Sequence, residues 1–278
     1  MTMSSMVPTG FEAATSSGYP YAYASESAGS SASACPEVRI DIPASADLDV
    51  DRLLEPRAPD AGTLRCRVHR IREKNTLEVF IEEGNIFVLS AVRQGKDWLI
   101  SERMQGSPAM KHLARIKSHK DRTFTCSRGR YDGGEAPPEL LLVRHATQQL
   151  MGDDLPDLNV MRLAAPRPPL SGLEMRSGEL GHMLTQTFDR HERPGEHVTV
   201  LESRLPKWNP RTDTYELPFG GRANWASARN FQLIERGAAP DRVVLLYGKM
   251  EEDEFALDFA YPLSLLNAFA IVITTAAW

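Results

Sequence analysis

Cysteine is scarce: Cys35, Cys66 and Cys126 are odd in number, far apart and without a CxxC pair. That spacing offers neither a disulfide framework nor a zinc-ligand pair and fits a reducing compartment. All three are expected to be free thiols, two of them in strands. An excess of positive charge is also absent. With 32 Lys and Arg against 37 Asp and Glu, the net charge of -5 excludes an overall basic coat for nucleic acid or anionic lipid, so any anionic ligand must be met by a local patch. The first 38 residues carry no Lys or Arg and no continuous apolar run, which gives no sign of a secretory or transit peptide and makes the cytoplasm the expected location. No GxSxG, P-loop or GxGxxG stands in the chain, and Gly220-Gly221 reads as a strand-entry turn. His112, His119, His145, His182, His191 and His197 show no HxxxH or HxH spacing beside a cysteine, so packing or surface roles are expected rather than a metal site. No cofactor is implied, and no catalytic constellation assembles.

What is present divides the chain in two. Residues 1–60 are rich in Ser, Ala, Gly and Pro with no sustained period, and a segment of that composition cannot repay the entropy of ordering. It is expected to be a disordered tail, with Val38 to Ile42 the one short stretch that alternates like an edge strand. Over residues 62–278 short runs of period two take over. Leu64, Cys66 and Val68 alternate with Arg65, Arg67 and His69. Further runs follow at Leu77 to Ile81, Ile86 to Leu89, Asp97 to Ser101, Thr123 to Cys126, Glu139 to Val143, His197 to Glu202, Thr214 to Leu217, Ala223 to Ile234, Val243 to Tyr247 and Glu254 to Phe259. Gly, Pro, Asn and Asp clusters separate them, and Pro-rich runs at Ala136 to Glu139 and Ala165 to Leu170 read as loops. Strands at this spacing predict an antiparallel barrel or sandwich. Tyr261 to Trp278 carries no charge, but Pro262, Ser264, Asn267, Thr274 and Thr275 dilute its hydrophobicity and no basic cluster flanks it. It reads as a helix wrapped by protein rather than a membrane anchor. A barrel closed around that helix satisfies both patterns.

The order of motifs in the last quarter resembles the tubby family. Leu205-Pro-Lys-Trp-Asn209, Tyr215-Glu-Leu-Pro-Phe-Gly-Gly-Arg222 and Ala226-Ser-Ala-Arg-Asn-Phe-Gln-Leu233 are similar to its PxWN, YxLNFxGR and ASVKNFQL. Val243-Val-Leu-Leu-Tyr-Gly-Lys249 resembles VLQFGK, and Phe255-Ala-Leu-Asp-Phe-Ala-Tyr-Pro-Leu263 with Ala268-Phe-Ala-Ile271 resembles FTMDYxYPLxxxxAFAI. Weaker likenesses upstream, at Leu64 to Val68, Trp98 to Ser101 and Leu113 to Ser118, extend the resemblance over 62–278. It implies a mainly β fold, a closed antiparallel barrel of about twelve strands around a central hydrophobic C-terminal α-helix, and no enzymatic activity. It also implies recognition of phosphoinositide headgroups, the 4,5-bisphosphate foremost, at the cytoplasmic face of the plasma membrane. Entry to the nucleus belongs to the same picture, but the family's recruitment of trafficking complexes does not carry over, because this tail lacks the basic residues for it and is left open to other protein partners.

Between Gly106 and Arg130 seven Lys or Arg face the single Asp121, an excess of positive charge that stands out in an acidic chain. A phosphorylated inositol ring needs several converging cationic donors, and a strand provides convergence because residues two apart share a face. Arg115 and Lys117 have that spacing, with Ile116 pointing inward. By resemblance they stand where the family's KLR triplet grips the headgroup. Arg167, in Ala165-Pro-Arg-Pro-Pro169, resembles the Arg of a GPRKM loop that reaches the same ligand. Asp97 falls where the family commonly has an Asn bonded to the ligand, and a carboxylate there is expected to oppose phosphate, with Lys96, Lys111 and Lys120 as compensating bases. Two other readings remain open at this point. A nucleic-acid-binding regulator would use the same bases, although Phe124 is the single Phe, Tyr or Trp among them. A scramblase-like lipid-handling protein would share the fold.

Overall fold

The computed structural model describes residues 55–103, 112–129, 139–149, 157–167, 198–211, 214–235 and 242–277, together with Leu184, Thr185 and Phe188. Residues 1–54 of the expected tail, the Val38 to Ile42 strand included, lie outside the described residues, and of the remainder Arg57 N–H donates to Leu263 O at 3.1 Å. Twelve strands close into one antiparallel ring. In chain order they are β1 (Leu64–Ile71), β2 (Thr76–Ile81), β3 (Ile86–Gln94), β4 (Asp97–Ser101), β5 (His112–Ser118), β6 (Thr123–Arg128), β7 (Glu139–Gln148), β8 (Leu158–Pro166) and β9 (Val198–Ser203). After a small hairpin of β10 (Lys207–Asn209) and β11 (Thr214–Glu216), β12 (Phe231–Glu235), β13 (Val243–Glu251) and β14 (Glu254–Phe259) complete it. Each strand from β1 to β9 pairs with its sequence neighbour, β9 pairs with β12, and β14 closes on β1 with Leu64 opposite Phe259. Closure leaves no unpaired strand edge in the ring.

The alternation read from sequence is the alternation of the wall. Leu64, Cys66 and Val68 on β1, Leu77, Val79 and Ile81 on β2, and Phe255, Leu257 and Phe259 on β14 are buried on the inside. They pack around α1 (Leu265–Thr274), in which every residue except Asn267 is buried. At roughly 1.5–3 kcal/mol for each large apolar side chain removed from water, this filling is the main support of the ring. No helix among the described residues is long and apolar enough to cross a membrane.

Polar bonds pin both ends of α1 to the same strand. At its start Ser264 Oγ accepts from Asn267 N–H at 3.1 Å in a capping box, and Asn267 Nδ2 donates to Leu140 O of β7 at 3.0 Å. At its end His145 of β7 meets Thr274 Oγ at 2.9 Å, while that hydroxyl donates to Ile271 O at 2.7 Å. The hydroxyl proton being committed, His145 must donate through Nε2–H, which fixes the neutral tautomer. Burial, and then the charge of Arg122, lower its pKa to about 3. The sign follows from linkage: the folded pKa lies below the unfolded value of about 6.5, so this stability is complete above that value and is lost progressively as pH falls towards 3. His145→Gln should therefore show a shallower loss of unfolding free energy between pH 6 and pH 4 than the parent, by up to about 1.4 kcal/mol per pH unit. Equal slopes in urea titrations of the two would reject this role.

Three local expectations are corrected. Ala223 to Asn230 is not strand, and only Phe231–Glu235 of that run joins the ring. Asn224 and Trp225 give their N–H groups to Lys249 O, and Asn230 Oδ1 accepts from Lys249 N–H at 2.8 Å, so side-chain and loop bonds replace a ladder. β8 is a strand that runs on through Ala165 and Pro166, where a loop was expected. Lys207–Asn209, unassigned by sequence, pairs with Thr214–Glu216.

Candidate functional site

β5 has the burial pattern its sequence calls for. Ala114 and Ile116 are about 1% exposed and face α1, while Arg115 and Lys117 are exposed on the outer wall. The two cations thus share one face, held by inward neighbours that cannot turn without emptying the core. Across the ladder Arg115 lies opposite Leu99 and Ser127, and Lys117 opposite Thr125.

Asp97 is part of this face. Its Oδ2 accepts from Arg115 Nε at 3.0 Å and from Nη2 as well, and its Oδ1 accepts from Ser118 N–H at 3.3 Å. The carboxylate therefore orients the guanidinium and offsets part of its charge. Nη1 of Arg115 makes no hydrogen bond among the described residues, and Lys117 makes neither hydrogen bond nor ion pair among them. Lys96, Lys120 and Arg122 are exposed beside it in the hairpin turns, and Lys111 lies outside the described residues. Asp121, in the β5–β6 turn, is held below the usual carboxylate range chiefly by its hydrogen bond with Thr123.

Arg167 is not brought to this face. It follows β8 in the inward register of Leu163 and Ala165, where Nε donates to Thr199 Oγ at 2.9 Å and Nη2 grips the Glu235 carboxylate. β6 and β7 separate β8 from β5, roughly 14 Å at about 4.8 Å per strand. Two bases that sequence reasoning passed over do lie on the outer wall. Arg144 on β7 and Arg162 on β8 are ladder partners, and their guanidinium carbons sit 4.6 and 5.0 Å from the centroid of the Phe188 ring. Leu184 and Phe188, helical and four residues apart, cover Leu142, Ala164, Val198 and Val200 there. Alternation past Val143 was the available signal, since Leu141 and Val143 face inward and Arg144 must then face out.

The motif Gly220-Gly221-Arg222 has a structural task. Arg222 bridges β14 and the end of β2, donating to Asp258 Oδ2 at 2.9 Å and Oδ1 at 2.6 Å and to Glu82 Oε1 at 3.1 Å. Glu82 in turn meets Arg67 at 3.5 Å, and Arg67 meets Glu254 at 3.2 Å. Among the described residues no three His, Cys, Asp or Glu gather around a possible metal position. Cys66 and Cys126 are free and buried, and burial raises both thiols well above their usual range, with Asp258 adding to the effect at Cys66.

Comparison with known proteins agrees with this architecture. A family model described as the Tub family matches residues 138–277, half of the chain. The human tubby-related protein 3 is 26% identical over 256 residues, covering 82% of this chain and 56% of that protein. The tubby protein homolog 1 of Caenorhabditis elegans is 30% identical over 161 residues, 52% of this chain and 37% of that protein. The protein king tubby 1 of Aedes aegypti is 40% identical over 109 residues, 39% and 25% of the two chains. The chain thus spans about half, or less, of the length of these curated relatives. The match to the family model begins at the foot of β7, so the strand with Arg115 and Lys117 lies upstream of it.

Proposed function

The chain belongs to the Tub family, and from that premise we propose that its barrel is a non-enzymatic phosphoinositide-binding module that tethers the protein to the cytoplasmic leaflet of the plasma membrane. The observation that carries this reading is the pair Arg115 and Lys117 on one outer face, two residues apart, between core-anchored neighbours. Lys117 supplies an uncommitted point charge, and Arg115 supplies donors already oriented by Asp97. Asp97 acts as a positioning residue, which offsets the repulsion expected of a carboxylate near phosphate. Arg167 joins a headgroup only by leaving Glu235, so the proposal rests on the first two bases. The exposed Lys96, Lys120 and Arg122 add attraction of about 1 kcal/mol each near an anionic surface, without headgroup selectivity.

The test is sedimentation with phosphatidylcholine vesicles, with and without phosphatidylinositol 4,5-bisphosphate. The parent should pellet only with the phosphoinositide, and Arg115→Ala with Lys117→Ala should weaken binding at least about tenfold, on the scale of losing two charge-assisted contacts, while unfolding at the same temperature. Retained binding by the folded double variant would reject the site. Tighter binding to duplex DNA than to these vesicles at physiological salt would replace the reading with nucleic-acid recognition. Accelerated transfer of labelled lipid between leaflets would replace it with lipid transport.

A further inference from the structure

One end of the barrel holds a second concentration of positive charge, on the inside of the ring rather than the outside. α1 ends there, and the turns β1–β2, β3–β4 and β13–β14 surround it. A cavity of about 60 Å³ opens among them, with Arg70, Arg72, Arg93 and Arg229 in its wall and no carboxylate. Arg70 continues the inward register of Cys66 and Val68, so the strand that fills the core below places a guanidinium at the rim. Arg93 holds the corresponding place beyond Leu89 and Ala91 on β3. Arg229 enters from the loop before β12. The floor is aromatic: Tyr247 stacks on Phe255 at 4.9 Å and 13°, and Trp98 lies beside them.

Among the described residues the neighbouring acids offset only part of this charge, Asp253 acting at a distance on Arg229 as well. Asp253 and Glu252 are both taken by Arg72, at 2.7 and 3.3 Å. Arg93 Nε donates only to Gly95 O at 3.2 Å, and the guanidinium groups of Arg70 and Arg229 have no anionic partner among the described residues. The end of α1 contributes about half a negative charge, too little for the remaining three cations. Nor do its carbonyls need the arginines, because the hydroxyls of Thr274 and Thr275 donate to Ile271 O and Val272 O, each at 2.7 Å. Arg229 is held below its ordinary pKa first by burial and then by the like charges of Arg70 and Arg72. A protein that gathers guanidiniums over a partly desolvated aromatic floor stores repulsion that a matching anion would relieve.

We propose that this mouth is an anion site separate from the outer-wall face, in which Arg70 and Arg229, with Arg93 at the rim, bind a phosphate-type oxyanion. Planar forks converging from two elements suit tetrahedral oxygens, and the cavity admits one such group. The phosphate can come from a free phosphorylated metabolite or from a lipid headgroup, and two arms of one experiment separate these. In titration calorimetry of the full chain with inorganic pyrophosphate at constant ionic strength, the parent should show saturable binding. Measured in the Arg115→Ala, Lys117→Ala background, so that the outer-wall face does not contribute, Arg70→Gln with Arg229→Gln should weaken it at least tenfold. In the vesicle assay, retained binding by the glutamine pair assigns the mouth to a free phosphate, and lost binding assigns it to a headgroup. No saturable pyrophosphate binding by the parent, or equal binding by the glutamine pair, overturns the proposal whatever the vesicles show. If the glutamine pair does not fold, Arg70→Lys with Arg229→Lys keeps the charge and removes the forks. Weaker pyrophosphate binding by that variant supports the site, and unchanged binding overturns it.

Discussion

Replacing Arg222 with leucine is expected to destabilise the barrel by about 3–5 kcal/mol at pH 7, the cost of leaving a buried carboxylate without its partner. Asp258 is only 8% exposed, and it is bonded by both Nε and Nη2 of Arg222. Burial pushes its pKa up, and Arg222 is the first influence that opposes this. Without the guanidinium the acid should favour its neutral form in the folded state. A folded pKa above the unfolded one gives stability that is present at low pH and lost as pH rises through the folded pKa. The deficit of Arg222→Leu should therefore shrink when urea unfolding is repeated at pH 4.5, and Asp258→Asn in the same chain should recover part of it at pH 7. A deficit that is the same at both pH values would show that lost packing, not the stranded charge, is the cause.

Gly248→Ala should cost about 3 kcal/mol, near the upper end for overpacking, because the obstruction is backbone. A Cβ at Gly248 would stand 2.3 Å from Arg222 O and 2.9 Å from Ala223 Cβ. Neither can swing aside as a flexible side chain could. The glycine is needed for space, since the loop carrying Arg222 crosses β13 at this point. Pushing that loop away would also draw the Arg222 guanidinium off Asp258, so the two substitutions touch one interaction. Their combined effect should fall short of the sum by about 1 kcal/mol or more, as expected for neighbours that share a contact. Additive unfolding free energies in the double variant would reject the coupling.

Much of the fold was legible because a barrel wall with a wet outside writes itself as alternation. β1, β2 and β14 were read directly, and the uncharged final segment is the buried helix. Legibility failed where that contrast failed. β8 is covered outside by Leu184 and Phe188 as well as inside by α1, so its apolar residues do not alternate and Pro166 to Pro169 dominated the reading. Ala223 to Asn230 looked like strand because nothing in the sequence shows that Asn230 bonds the backbone of Lys249 and Trp225. At the outer-wall face, spacing placed Arg115 and Lys117 together, but it could not show that Asp97 would hold Arg115, since that depends on the β4–β5 register. The same limit applies to Arg167, whose charge was visible and whose partner, Glu235, is 68 residues away. The arginines at the barrel mouth come from β1, the β1–β2 turn, β3 and the loop before β12, and no local pattern unites them.

The ring shuts through β1 and β14, and what fills it follows both in the chain. A ribosome therefore releases every stave before the plug that supports them. Until α1 arrives, the inner faces of all twelve strands have only water or one another to meet, and pairings between distant segments are slow to form. Nascent barrels should thus depend on chaperones that shield apolar surface, and premature termination anywhere before Leu265 should yield chains that aggregate rather than smaller folded units.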